Sequence, residues 1–417
     1  MLAFLKSTSH CQMSKIKIGI LKEGKVPVDH RVAITPAQAR QIKNSHKDVE
    51  IICQHSDVRC FNDDNYISND IEMSDDISSC DVLFGVKEVP LKNLIAGKTY
   101  FFFSHTIKKQ EYNRNLLQEV LAKKITLIDY ECLTDINSQR IIAFGRYAGI
   151  VGAYNGIWTF GKRYNLFNLR RANECFDLED LQSEYDKVRL TKIKIVITGG
   201  GRVAKGAMEV LNGMSIRKVS PADFIDEYFD EPVYTQLNNR DYNKHKDGKP
   251  FNRGEFFSNP EEFEPNFKPF YQNADILIAA AFWNPNAPVL FTKEEMVERD
   301  FNIKVVADIT CDIEGSIPST KRPATIEDPI YDFDPTQDKV VPPLSDEGNI
   351  TVMAVDNLPC ELPRNASEDF GRELINNVLP NLIGEDKDDI IKRATIAKNG
   401  SLTSNYSYLQ DYVDGKE

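Results

Sequence analysis

The sequence predicts an α/β chain made of two doubly wound domains with a cleft between them. Three observations predict it. Short β-rich runs alternate with helical patterns through the first third of the chain, which calls for a mostly parallel sheet covered by helices. A strand, glycine turn and helix, KIKIVITGGGRVAKGAMEVL, opens a second set of the same kind after residue 190. The length, 417 residues, suits two or three domains at about 150 residues each.

The elements follow in order. KIKIGIL (15–21) alternates as a first strand. Thr35 can cap a helix with Pro36 at its first position. VEIICQ (49–54), DVLFGV (81–86), TYFFFS (99–104) and ITLIDY (125–130) read as further strands, with a helix over 110–124. IVGAYNGIWTFGKRY (150–164) is a long helix with small residues suited to close packing. DILIAAAF (275–282), IKVVADIT (303–310) and NITVMAVD (349–356) continue the second sheet. The polar, aromatic-rich stretch 220–273 reads as an insertion on the second domain. In the tail, Phe370, Leu374 and Val378 recur at helical spacing, and this helical region is expected to return to the first domain. The expected division is therefore 15–145 plus 357–417 for the first domain and 146–356 for the second. Residues 1–14 are read as a disordered extension, with a transit peptide as the alternative because no acid precedes Glu23.

Composition excludes several classes. Apolar residues make up 41% and aromatics 10%, so sizeable cores are available and wholesale disorder is not expected. The balance of 51 Lys+Arg against 63 Asp+Glu, a net charge of −12, argues against nucleic acid, which needs a concentrated basic face. No apolar run approaches the roughly 20 residues of a membrane helix. Eight scattered cysteines without a CxxC pair suggest reduced thiols and a cytoplasmic chain. No cluster has metal-ligand spacing, and neither a P-loop nor a nucleophile elbow is present. Oligomerisation is allowed by the sequence but not specified by it.

The second domain carries the nucleotide signal, which makes it Rossmann-like. Gly199, Gly200 and Gly201 form the turn, and Arg202 and Val203 open the helix. Glycines let backbone N–H groups reach a pyrophosphate, and the helix N-terminus favours its charge. NAD or NADP is the expected cofactor. An acid that holds the ribose 2′-OH should stand about 20 residues after the first glycine. Ser220 stands there instead, which removes the repulsion against a 2′-phosphate and leans towards NADP.

Candidate chemistry lies in the first domain. Lys87 and His105 each follow a strand run, at the carboxyl ends where open α/β sheets place ligands. A partly desolvated lysine and a histidine make an acid–base pair for proton transfers around a C–N bond. Glu88 and Glu131 could tune them, and Arg31 and Lys108 could clamp substrate carboxylates. The bland alternatives are a solvated strand end for Lys87 and a hydrogen-bonded core histidine for His105.

KIGILKEGKVPVDHRVAITP resembles the N-terminal signature of the alanine dehydrogenase/transhydrogenase superfamily. LFGVKEVP, GKTYFFFSHTIKKQE, LIDYE, AFGRYAG, VDNLPCELPRNASEDFG and RATIAKNGSLTSNYSYLQ are similar to the lysine–2-oxoglutarate reductase domain of aminoadipic semialdehyde synthase. They resemble fungal lysine-forming saccharopine dehydrogenase less closely. The likeness spans about Lys15 to Gln410. It implies reversible oxidation of saccharopine to L-lysine and 2-oxoglutarate. It matches Lys87 and His105 to the acid–base pair, and Arg31 and Lys108 to carboxylate contacts. Glu88 and Glu131 match the acids beside the pair, Asp356 matches a partner for a substrate ammonium, and Asp308 and Asp312 match the segment near nicotinamide. The alternatives are a simpler amino-acid dehydrogenase, such as alanine dehydrogenase, and a non-catalytic nucleotide sensor.

Overall fold

The computed structural model describes residues 15–416, which form two compact units, 15–143 with 367–416 and 144–366. The expected disorder of 1–14 lies outside the described residues.

The first unit holds β1 (Ile16–Ile20), β2 (Val49–Cys53), β3 (Glu72–Met73), β4 (Val82–Phe84), β5 (Thr99–Phe102) and β6 (Thr126–Asp129). They run parallel in the spatial order β6-β5-β4-β1-β2-β3. Two tail strands, Thr395–Lys398 and Ser401–Leu402, add antiparallel to the β6 edge. Thr35 caps α1 (Pro36–Ser45) through a reciprocal pair with Gln38, as its sequence predicts. Leu116, Leu117 and Val120 of α2 (Arg114–Ala122) pack with Tyr100, Phe102 and Leu127 of the sheet and with Tyr406 and Leu409 of the tail.

The second unit begins with α3 (Gly145–Tyr164). Its sheet comprises β7 (Lys194–Thr198), β8 (Arg217–Lys218), β9 (Val233–Leu237), β12 (Ile276–Ala279), β13 (Val305–Asp308), β14 (Ile330–Asp334), β15 (Lys339–Val341) and β16 (Ile350–Met353). A small hairpin of β10 (Asn243–His245) and β11 (Phe263–Pro265) stands apart. The sheet order is β15-β14-β16-β13-β12-β7-β9-β8, parallel except for β14, which runs antiparallel to both β15 and β16. Alternate strand residues serve opposite faces. Ile195, Ile197, Ile278 and Ala307 pack towards α3 and α4 (Arg202–Gly213), while Val196, Leu277 and Val306 pack with Phe267, Tyr271 and Phe291.

Glycines explain how closely α3 and α4 approach. A Cβ on Gly149 would lie 1.9 Å from the Val203 carbonyl oxygen, and one on Gly206 would lie 2.1 Å from that of Arg146. The small residues of α3 therefore serve helix crossing within this unit.

Two features bear on the expected division. The stretch 220–273, expected as an insertion on the second domain, contributes β9 to the central sheet, where it pairs with β7 along its full length. VYTQL hides this among polar neighbours. Residues 357–366, expected with the first domain, lie in the second unit. Glu361, fully buried, accepts hydrogen bonds there from Asn155 Nδ2 at 2.9 Å and Arg171 Nη2 at 2.7 Å.

Candidate active site

In the first unit, β1, β4, β5 and β6 end on one edge, and the candidate side chains project from the turns that follow. The turn after β4 is held by Glu23, whose two carboxylate oxygens accept the N–H groups of Val86 at 2.7 Å and Lys87 at 2.9 Å. Among the described residues, the Lys87 amine makes no hydrogen bond or ion pair. Burial lowers its proton affinity, and repulsion from Arg31 lowers it further.

Glu88 is the hub. Its Oε1 lies 2.7 Å from His105 Nδ1, and Lys25 Nζ donates to both its oxygens at 2.8 and 2.7 Å. Burial alone would push the Glu88 carboxyl up, but the hydrogen bonds from His105 and Lys25 hold it down to about 2. Glu88 is therefore ionised at neutral pH and can only accept. The proton of a neutral His105 then sits on Nδ1, leaving Nε2 as the basic nitrogen. His105 adopts a left-handed backbone with φ of 53°, and its ring lies nearly parallel to that of Phe103.

Beside this pair, Asp129 accepts the Ser104 hydroxyl and the N–H groups of Ser104 and Glu131, tying the ends of β5 and β6 together. Glu131 Oε1 has Arg140 at 3.5 Å and Lys108 at 3.9 Å, and its Oε2 is buried without a hydrogen-bond partner among the described residues. Lys108 is half exposed. Arg31, expected to meet a substrate carboxylate, is buried, and its Nε and Nη2 donate to Asp29 at 3.0 and 2.6 Å, so an internal carboxylate engages two atoms of its fork.

Glu23, Lys25 and Asp29 escaped the sequence reading. The available signal was the charge density of KEGKVPVDHR after a strand whose carboxyl end joins that of β4.

In the second unit, Gly199 has a φ of 97°, and a Cβ there would come within 2.9 Å of the Ala280 carbonyl oxygen. Gly201 is the N-cap of α4, and a Cβ there would meet nothing within 4 Å. Gly200, Gly201 and Arg202 are exposed, and Val203 is half-buried against Gly145. Donors that α4 itself cannot use therefore face open space, which fits a dinucleotide pyrophosphate.

Ser220 does not stand where counting put it. β8 pairs with β9, and β9 lies next to β7, so Ser220 is one strand removed from the glycine turn. Its hydroxyl accepts the Asp223 N–H at 3.1 Å. The neighbouring strand end supplies Gln236, which donates to the Gly199 carbonyl at 2.9 Å, and Asn238, which confronts Gly200. These residues, with Lys218, Ser220, Arg240 and Asp241, line a groove of about 500 Å3. Lys218 Nζ lies 3.6 Å from Met208 Sδ, and Arg240 Nε lies 3.7 Å from Asp241.

Asp308, expected near the nicotinamide, is fully buried and accepts from Thr310, Cys311 and Thr320, so its carboxylate organises the loop after β13. Burial pushes its proton affinity up. Asp312 and Asp356 are exposed, and both act electrostatically on Cys311, whose thiol is pushed up to about 12, chiefly by burial. They therefore lie near one another at the ends of β13 and β16.

Among the described residues no group of His, Cys, Asp and Glu could hold a metal ion, and no helix is long and apolar enough to cross a membrane. The described cysteines form no disulfide.

A parallel sheet with an acid–base cluster at its carboxyl edge, and a second with a glycine turn into a helix N-terminus, define an NAD(P)-dependent oxidoreductase. The chain belongs to the alanine dehydrogenase/PNT family: the N-terminal domain matches residues 19–151 and the C-terminal domain residues 185–405. It is 27% identical to alpha-aminoadipic semialdehyde synthase of Arabidopsis thaliana over 97% of this chain and 42% of that protein. It is 29% identical to the mitochondrial alpha-aminoadipic semialdehyde synthase of Mus musculus over 92% of this chain and 46% of that protein. The chain thus spans less than half the length of these relatives. It is 25% identical to saccharopine dehydrogenase (NAD(+), L-lysine-forming) of Yarrowia lipolytica over 87% of this chain and 92% of that protein. Among solved structures, an L-alanine dehydrogenase shares the fold, with a TM-score of 0.62 at 16% identity, covering 96% of this chain and 100% of that one.

The cytoplasmic expectation is overturned. Three animal relatives, from Mus musculus, Rattus norvegicus and Bos taurus, are mitochondrial by name. Reduced cysteines suit either compartment, so they could not have decided between them.

Proposed function

We propose that the chain catalyses the reversible NAD(P)-dependent oxidation of saccharopine to L-lysine and 2-oxoglutarate. The observation that carries this reading is the Lys87 amine beside the Glu88–His105 pair. Two bases of different kind are what a C–N oxidation followed by imine hydrolysis requires. The names of the relatives support the substrate.

The dinucleotide, when bound, accepts a hydride from the substrate carbon that carries the secondary amine. Gly200, Gly201 and the first turn of α4 would hold its pyrophosphate. Lys87, with its lowered proton affinity, takes the amine proton as the C=N bond forms. His105 Nε2 then takes a proton from water as its oxygen attacks the imine carbon and passes that proton to the imine nitrogen, which leaves a neutral carbinolamine and a ring free to accept again. Collapse of the carbinolamine forms the ketone of 2-oxoglutarate and breaks the C–N bond. Lys87 returns its proton to the departing lysine nitrogen, and His105 removes that of the carbinolamine hydroxyl. Glu88 stabilises His105 whenever the ring is charged. Lys108 and Arg140 offer cationic charge to substrate carboxylates, and Asp356 offers a carboxylate to an ammonium.

For the cofactor we favour NADP. The residue beside the glycine turn is Asn238, not an acid, and Lys218 and Arg240 edge the same groove. The test is an initial-rate panel: L-lysine with 2-oxoglutarate against ammonia with pyruvate, each with NADH and NADPH. Turnover confined to L-lysine with 2-oxoglutarate supports the reading. Turnover confined to pyruvate with ammonia overturns it.

A further inference from the structure

Glu23 is a carboxyl group that the proposed reaction does not use. It is partly buried, and both its oxygens are committed to consecutive backbone N–H groups, those of Val86 and Lys87. These are the two residues before Glu88. Through one side chain, the segment after β1 therefore clamps the turn that carries both Lys87 and the partner of His105. Phe103 N–H donates to the Val86 carbonyl at 3.0 Å, so the same turn is also joined to the strand leading to His105.

We propose that Glu23 is the positioning residue for Lys87, its carboxyl fixing the Lys87 backbone and its charge helping to set the proton affinity of the Lys87 amine. This rests on the reading of Lys87 as a base. Two shared neighbours support it. Asp29 and Arg31 act on Glu23 and also on Lys87, with Asp29 favouring the protonated form of each and Arg31 the deprotonated form. Glu23 and Lys87 therefore sit in one electrostatic cluster. Tyr130, on the turn after β6, also faces Glu23, and Lys25 and Glu88 face Lys87. Burial and the Asp29 carboxylate push Glu23 up to about 8. The group thus ionises close to neutrality while it holds the Lys87 backbone N–H.

The test uses the full chain and two readouts. The first is the pH dependence of Lys87 acylation by acetic anhydride, followed by mass spectrometry without substrate. The second is the pH profile of turnover. Glu23→Gln keeps the size but cannot ionise, and its amide presents N–H to one of the two backbone donors. The acylation midpoint of Lys87 should move to lower pH, because a negative charge is gone. The rate constant kcat should fall about ten- to a hundredfold through misplacement, while the Kd of the dinucleotide stays unchanged. Glu23→Asp keeps the charge and should return the midpoint towards that of the native chain. Should the glutamine chain not fold, Glu23→Met, equally unable to ionise, takes its place with the same shift of the midpoint expected.

A midpoint that is the same in the native chain and both variants overturns the proposal. So does a glutamine chain that merely melts earlier with an unmoved midpoint. If Lys87→Met abolishes lysine turnover while Glu23 variants leave the midpoint in place, the proposed function stands and this inference fails. If no lysine is turned over yet the midpoint moves, the substrate assignment fails and the role of Glu23 stands.

Discussion

Glu88 Oε1 meets His105 Nδ1 at 2.7 Å, although the two residues follow different strands and lie 17 positions apart. The pairing places the proton of a neutral ring on Nδ1 and leaves Nε2 as the acceptor. It also makes Glu88 a carboxylate with a strong claim to its charge.

Glu88→Gln should lower kcat by about a hundredfold, because the ring loses the acceptor that orients it and its charged form loses stabilisation. Stability should follow pH with a defined sign. Glu88 titrates at about 2 in the fold, below the roughly 4.3 of a free glutamate. Its stabilising contribution is complete above that free value and disappears as the pH falls through about 2. Urea unfolding between pH 7 and 2 should show the native chain and the variant converging towards acid.

Lys87→Met should reduce kcat by about 10²–10⁴-fold, the usual worth of a positioned acid–base group, with dinucleotide Kd within twofold of native. In the native chain, oxidation should rise with pH through a limb below the ordinary lysine value of 10.5, because burial and Arg31 favour the neutral amine. Initial rates against pH check both points. Intact turnover in the variant would remove Lys87 from the mechanism.

Asn238→Asp places an acid beside the glycine turn. It should improve NADH binding through the ribose hydroxyls and weaken NADPH binding by repelling a 2′-phosphate, for a combined swing of about tenfold or more. Fluorescence titration with each dinucleotide measures it. A chain that binds both as before would place the ribose elsewhere.

Gly149→Ala puts a methyl group 1.9 Å from the Val203 carbonyl oxygen, a distance no packing tolerates. The obstacle is backbone, so α3 and α4 must separate. Thermal unfolding should show a loss of about 3 kcal/mol or more.

The first-unit strands were readable because each is a short apolar run bounded by turn residues. KIKIGIL, DVLFGV and TYFFFS are clear cases. Lys87 and His105 were readable for the same reason, since a polar residue that ends such a run sits at a carboxyl strand end. Val233–Leu237 was not, because VYTQL lies among charged and aromatic residues and its partner β7 lies more than 30 positions away. The place of Ser220, one strand removed from the glycine turn, follows directly. A count along the chain assumes the next strand is the neighbouring one, and here β9 takes that place. The role of Arg31 was illegible too, because residue type marks a carboxylate-binding group but does not say whether that carboxylate belongs to a ligand or to Asp29.

The sequence by itself determined the two α/β sheets, the glycine turn before α4 and the Lys87–His105 candidates, since these depend on local periodicity, glycine geometry and strand ends. Tertiary structure alone decided strand order, the commitment of Arg31 and Asp308 to internal partners, and the gathering of Glu23, Lys25 and Glu88 around the candidate pair. Those relationships join residues far apart in the chain through hydrogen bonds and burial, and no local pattern encodes which distant group will be the partner.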